Sequence, residues 1–312
     1  MPQCQLVQET WSNLHRSYFT LASGLLIVHN REEVSRAKEE VSRAKLERNN
    51  MPQNFENIGQ DLNLRGRPAR ITLFVGAYGS GKSEVSVNYA LWLARHVRTS
   101  SQRVVLCDLD TINPYYRSAD AKTVLAENQI ELIASIYVNT NVDVPAVPAG
   151  IFSVFDDESI LAVLDIGGED LGARVVGSLR ERLAGQDFAI NLVVNPFRLT
   201  TNTPEGIAWT ADSLTSTIGL RLTGLVDNAN LLDEQNLSQL IESFPVVAEG
   251  ARLVGLPVCF ATTMAEIPSR QNLLDLLRQT DQLPTSEALA NLPMLRLIRS
   301  IHYPTDPFAN PE

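Results

Sequence analysis

The stretch Arg70-Ile71-Thr72-Leu73-Phe74-Val75-Gly76-Ala77-Tyr78-Gly79-Ser80-Gly81-Lys82-Ser83 runs from an apolar segment into a glycine-rich one. Its second half fits the phosphate-binding loop pattern G-x-x-x-x-G-K-[ST] at every specified position. Ile71 to Val75 has the continuous apolar character of a strand buried on both faces of a parallel sheet. Behind the loop, Glu84 to Val97 carries apolar side chains at Val85, Tyr89, Leu91, Trp92 and Leu93, which suits a mostly buried helix. Strand, loop and helix in this order give the pattern its meaning, since a glycine-rich turn in another context would carry none.

Each residue type in the loop answers a physical need. Gly76, Gly79 and Gly81 let the backbone curl so that successive N–H groups around Ser80 face inward and cradle phosphate oxygens. The positive end of the following helix adds to that field. Lys82 supplies a point charge near the outer phosphates, and the Ser83 hydroxyl is placed to ligate Mg²⁺. The expected ligand is a nucleoside triphosphate.

Outward from the loop, apolar strand candidates at 71–76, 103–108, 161–166, 188–195, 222–227 and 257–262 alternate with helical candidates at 82–98, 116–127, 169–184, 204–217 and 235–254. That rhythm predicts an α/β fold of three layers, a mostly parallel central sheet with helices on both faces. The nucleotide-binding domain is expected over 65–282. Within it, 128–160 is harder to read, with Pro145 and Pro148 marking a connecting excursion. Two helices, 269–279 and 286–300, are expected next, so that 283–312 reads as a C-terminal helix and a loose tail.

Residues 1–64 read as an N-terminal extension, poorly ordered or a mis-assigned start with translation beginning at Met51. Within it, Glu33 to Glu39 and Glu40 to Leu46 form a tandem seven-residue repeat, too short and too weakly apolar for a coiled coil. Tyr18 to Val28 is too short to span a membrane. With a net charge of −10, neither nucleic acid nor an anionic membrane is the expected partner. Cys4, Cys107 and Cys259 have no metal-ligand spacing, and the latter two read as buried thiols in a cytoplasmic protein. His15, His29, His96 and His302 have no zinc-site spacing. Leu91-Trp92-Leu93 and Trp209 read as core positions.

A phosphate loop needs acids to organise metal and a sensor for the terminal phosphate. Val104-Val105-Leu106-Cys107-Asp108-Leu109-Asp110 ends a strand in two carboxylates, and Leu161-Ala162-Val163-Leu164-Asp165-Ile166-Gly167-Gly168 ends another in one. A carboxylate directly after a buried run is costly unless a cation or hydrogen-bond donors hold it, and Mg²⁺ is the cation expected at Asp108 and Asp165. Gly168 would let a backbone N–H approach the γ-phosphate.

These motifs, with Thr223-Gly224-Leu225-Val226-Asp227-Asn228, come in an order that resembles the MinD/ParA/CobQ-type P-loop NTPases. Tyr78-Gly79-Ser80-Gly81-Lys82 and Asp108-Leu109-Asp110-Thr111-Ile112-Asn113-Pro114-Tyr115 look most like a little-described bacterial group of ATP-binding proteins within them. The resemblance spans residues 70 to 280. It implies that Lys82 and Ser83 hold phosphates and Mg²⁺, that Asp110 lies in a first switch near the attacking water, and that Asp165 is the Walker B acid. It also implies that Asn228 reads the purine through its amide, with ATP as cofactor; by donor and acceptor chemistry the neighbouring Asp227 keeps GTP open as the rival.

MinD and ParA proteins carry a second lysine early in the loop, reaching across a homodimer; here Ala77 and Tyr78 stand there. Arg117, Arg174 and Arg198, in Asn195-Pro196-Phe197-Arg198, are the candidate replacements. The expectation is a slow, Mg²⁺-dependent ATPase acting as a switch toward a protein partner, with pairing of two copies weakened by the missing lysine. The alternative is ATP-dependent phosphotransfer or ligation on a small metabolite, with 139–150 and Asn195 to Arg198 lining its pocket.

Overall fold

The computed structural model describes residues 67–110, 118–134, 148–229, 237–278 and 283–301. The N-terminal extension, Arg117, most of the 139–150 stretch and the tail from Tyr303 lie outside the described residues.

Eight strands pair in parallel: β1 (Ile71–Val75), β2 (Arg103–Leu109), β3 (Ile130–Ala134), β4 (Ile160–Ile166), β5 (Phe188–Val194), β6 (Gly224–Asp227), β7 (Val258–Thr263) and β8 (Met294–Arg296). Their spatial order is β3-β2-β4-β1-β5-β6-β7-β8, with β1 near the middle and the phosphate loop leaving its carboxyl end. Six of the eight lie where the apolar runs place them.

The other two escape the sequence pattern for identifiable reasons. β3 forms an edge of the sheet, and its Glu131 is half-exposed and paired with Arg103 of β2 at 2.8 Å, so the strand lacks a continuous apolar run. β8 is only three residues long, too short to show a period. The single helix expected over 286–300 is not formed. A helix covers Leu283–Ala290, Pro293 cannot continue it, and Met294–Arg296 joins the sheet beside β7.

Both faces of the sheet are covered. Alternate residues of each strand point to opposite sides, so Leu73, Val105, Leu164 and Leu192 belong to one core, while Phe74, Leu106, Val163 and Val193 belong to the other. The second core is shared with α1 (Lys82–Trp92), which widens into a π-type turn at Leu93–Val97, and with α2 (Lys122–Glu127). The first is shared with α3 (Phe152–Asp156), α4 (Glu169–Ser178), α5 (Arg180–Leu183), α6 (Pro204–Ile218) and α7 (Leu237–Val254). A third cluster packs α7 against α8 (Arg270–Leu277) and α9 (Leu283–Ala290) beside β7 and β8.

Two devices hold α1, and with it the loop, to the sheet. Tyr89 meets Phe74 edge-on at 5.2 Å, stacks on Phe260 at 5.9 Å and touches Trp92. From the other end of the chain, Asn88 exchanges hydrogen bonds with the backbone N–H and C=O of Ile298, while Glu84 accepts from the Ser300 N–H and hydroxyl at 2.7 Å each.

At the opposite end of β1 the buried Arg70 guanidinium donates to the carbonyls of Val154, Asp157 and Ile160 and to Gln186. Trp209 departs from expectation. Ile207, Ala211, Leu214 and Ile218 form the buried stripe of α6, and Trp209 stands on the opposite side, 69% exposed. Cys107 is buried as expected, whereas Cys259 is half-buried.

Candidate nucleotide site

Gly79 and Gly81 both adopt left-handed backbone conformations (φ +72° and +83°), which turn the chain over the amino end of α1. The loop is braced from three sides. Lys82 is largely buried and its Nζ donates back to the Ala77 carbonyl at 3.0 Å. The Asn228 amide, fully buried at the end of β6, donates to the Ser80 carbonyl at 2.6 Å and accepts from the Thr262 hydroxyl on β7. Arg198 Nε donates to the Gly79 carbonyl at 2.9 Å.

The acids arrive by strand register. Asp108 of β2 and Asp165 of β4 are paired positions, and Asp165 is also level with Phe74 of β1, one residue before the end of that strand. By alternation both carboxyls point toward the face that carries α1. Both side chains are fully buried. Asp108 accepts from the backbone N–H of Asp110 at 3.1 Å and of Ala119 at 3.0 Å, which fixes the Asp-x-Asp turn.

Asp165 is less well served. The Ser86 hydroxyl reaches Oδ1 at 3.4 Å, and Oδ2 is buried without a hydrogen bond. Burial, then the charge of Asp108, pushes this carboxyl up to about 7, against the opposing influence of the Ser83 hydroxyl and Lys82. A poorly satisfied buried oxygen beside a serine hydroxyl is a fitting pair of hard ligands for Mg²⁺. Among the described residues no group of three or more His, Cys, Asp or Glu forms a metal cage, so such an ion would complete its shell with phosphate oxygens and water.

The turn after Asp165 closes over the loop. A Cβ placed on Gly168 would lie 3.2 Å from the Tyr78 nitrogen, and one on Gly167 would lie 2.9 Å from Asp110 Oδ1. The residues at 167 and 168 are small because the loop and the first acid turn occupy the space. Thus the phosphate loop, Asp-x-Asp and Asp-x-Gly-Gly, separated widely in sequence, converge on one site.

Of the candidate arginines, Arg198 touches the loop and Arg174 is exposed on α4. Ser86 and Thr262 were not singled out from the sequence. Ser86 could have been, because it sits three residues after Ser83 on the same helix face. Thr262 gives no such signal, since only β6–β7 pairing brings it to Asn228. Asn228 is engaged on both sides of its amide, by Ser80 and Thr262.

No protein-family model and no curated protein matches the chain. Solved structures do resemble it. The cell division protein FtsY of Thermotoga maritima is 18% identical with a TM-score of 0.45, the match covering 72% of this chain and 69% of that one. The 54 kDa signal recognition particle protein of Aeropyrum pernix K1, in complex with GDP, is 15% identical with a TM-score of 0.44 over 89% of this chain and 60% of its own. FlhF complexed with GMPPNP/Mg²⁺ is 13% identical with a TM-score of 0.40, covering 91% of this chain and 92% of that one. The chain thus spans 60% of the length of the second.

Proposed function

We propose that this chain is a Mg²⁺-dependent, ATP-binding P-loop switch that hydrolyses slowly and presents a nucleotide-dependent surface to a protein partner. The observation that carries the reading is the contact of Gly168 with Tyr78 and of Gly167 with Asp110 above a loop anchored by Lys82. A γ-phosphate bound in the loop would meet the backbone of the Asp-x-Gly-Gly turn and of the Asp-x-Asp turn at once. Its departure would release both, and differential contact of this kind is what shifts a two-state equilibrium.

In this reading Lys82 and the loop N–H groups bind the phosphates. Ser83 and Asp165 hold Mg²⁺, directly or through water, which offsets the phosphate charge when bound. Asp110 stands beside the turn where an attacking water would be oriented. Asn228 reads the purine or braces the phosphate loop through Ser80.

Calorimetric titration with Mg-ATP, Mg-ADP and Mg-GTP, with Lys82→Ala as control, tests this. Expected is tight ATP binding, weaker ADP, little GTP, and a loss of roughly a hundredfold or more in Lys82→Ala. Equal binding of all three, or binding indifferent to Lys82→Ala, removes the proposal.

A further inference from the structure

The site as built is short of positive charge. Asp108, Asp110 and Asp165 stand within it, and the loop lysine is partly committed to Ala77. A triphosphate entering this environment brings several more negative charges. Phosphoryl transfer to water then concentrates charge on the oxygen between the β- and γ-phosphorus atoms and on the γ-oxygens.

Arg198 is bonded to the loop that would hold those phosphates. Its guanidinium packs flat in the space that a side chain at Gly79 would fill, with Cζ and Nε 3.1 Å from a Cβ built there and Nη2 at 3.3 Å. Nε is used by the Gly79 carbonyl. The terminal Nη groups make no ion pair and no hydrogen bond with the described residues, so their donors are available.

The turn that carries the arginine is also held in place. The turn after β5 is knitted to Asn195: its Oδ1 accepts from Phe197 N–H at 3.1 Å, and its carbonyl accepts from Arg198 N–H at 3.0 Å and the Thr201 hydroxyl at 2.7 Å. Asn195 and Thr201 are both buried. Because β5 is hydrogen bonded to β1, this turn rises directly beside the phosphate loop. The backbone that carries this exposed arginine is therefore fixed, and the Nε bond to Gly79 keeps its guanidinium at the loop, as electrostatic stabilisation of a transition state requires.

We propose that Arg198 is a catalytic arginine supplied within the chain, contacting the γ-phosphate and stabilising the charge that develops as the γ-phosphoryl group is transferred to water. This rests on the nucleotide reading given above. In the step, a bond forms from the water oxygen to the γ-phosphorus while the bond to the β–γ bridging oxygen breaks. The bridging oxygen keeps the electron pair as part of ADP, and the water's proton leaves with phosphate or to solvent. Arg198 takes no part in the proton transfer and supplies only hydrogen bonds and charge.

The test compares the full chain with Arg198→Ala and Arg198→Lys. The readouts are apo melting temperature, affinity for Mg-ATP and Mg-ADP, affinity for Mg-ADP with aluminium fluoride, and single-turnover hydrolysis. Expected for Arg198→Ala are an unchanged melting temperature, ADP affinity within about twofold, hydrolysis slowed roughly a hundredfold or more, and lost tightening by aluminium fluoride. Arg198→Lys retains charge without the fork and falls between. Added guanidinium at millimolar concentration restores part of the rate to Arg198→Ala.

Wild-type hydrolysis and aluminium fluoride tightening that persist in Arg198→Ala overturn the assignment while leaving nucleotide binding intact. If the wild type hydrolyses too slowly to measure, the aluminium fluoride comparison decides alone. A wild type that binds no nucleotide overturns the parent reading instead, so the two failures are told apart.

Discussion

Asp108 and Asp165 stand side by side on adjacent parallel strands, both fully buried, with their carboxyls on the face of the sheet that carries the phosphate-loop helix. Two like charges in such a setting destabilise each other. Backbone N–H groups satisfy Asp108, whereas one oxygen of Asp165 is left without a hydrogen bond. The arrangement conserves a deficit that a cation can fill, a common feature of sites in which stability is given up for function.

Asp165→Asn should therefore separate stability from binding. Without nucleotide, removing the poorly paired charge is expected to leave melting temperature unchanged or raise it by a few degrees. With Mg-ATP, the gain in affinity that Mg²⁺ brings over ATP in EDTA should fall at least tenfold. A variant that melts much lower and keeps its Mg²⁺ dependence contradicts both halves.

Gly168→Ala tests the contact between the Asp-x-Gly-Gly turn and the loop. Gly168 has φ −66° and ψ 157°, which alanine adopts freely, so any effect comes from the methyl group meeting the Tyr78 backbone at 3.2–3.3 Å. ATP affinity and hydrolysis should drop about tenfold, roughly the 1.4 kcal/mol of a modest steric displacement, while ADP affinity stays put. Equal losses for ATP and ADP would show that the turn does not discriminate the γ-phosphate.

Asn228→Ala leaves the buried Ser80 carbonyl without this donor and takes one acceptor from the buried Thr262 hydroxyl, which also reaches the Asp227 carbonyl at 3.4 Å. A stability loss of about 1–3 kcal/mol is expected from chemical denaturation. The ratio of ATP to GTP affinity measured on the same variant is the second readout. A collapsed ratio supports base reading, and a preserved ratio with weaker binding of both assigns the residue to bracing the loop.

A pH dependence should trace to Asp227. Burial alone raises its carboxyl to about 8, and neither oxygen has a hydrogen bond. In the unfolded chain an aspartate ionises near pH ~3.9. Between these values the folded state holds a proton that the unfolded state does not. Stability is then full below the lower value and lost as pH rises toward the upper one. Asp227→Asn should flatten that decline between about pH 5 and pH 8 relative to wild type. Asp165 is present in both proteins, so parallel declines would place the effect there or elsewhere.

Asn88→Ala probes the C-terminal clasp on α1. It frees both the N–H and the C=O of Ile298 from their bonds to the Asn88 amide. Expected is a loss of about 1–3 kcal/mol, with faster hydrogen exchange in residues 297–301 and in the first turns of α1. Exchange confined to the C-terminal segment would show that the clasp does not stiffen the loop helix.

Gly76 to Ser83, the acids at the ends of β2 and β4 and six of the strands were legible from the chain because each is local: a glycine spacing, an apolar run, a carboxylate after it. β3 and β8 were not, since an edge strand and a three-residue strand owe their existence to a neighbour rather than to their own pattern. Trp209 misled for a related reason, because hydrophobicity says what a residue prefers and only the phase of its helix says which way it faces. Of the two candidate arginines among the described residues, strand order brought Arg198 to the loop by placing the β5 turn next to β1. The amide of Asn228 likewise met Ser80 and Thr262 only through the pairing of β6 with β7. Sequence determined the phosphate loop and the parallel sheet through local geometry and burial; tertiary structure decided which distant polar groups share the site, because that depends on strand register and order.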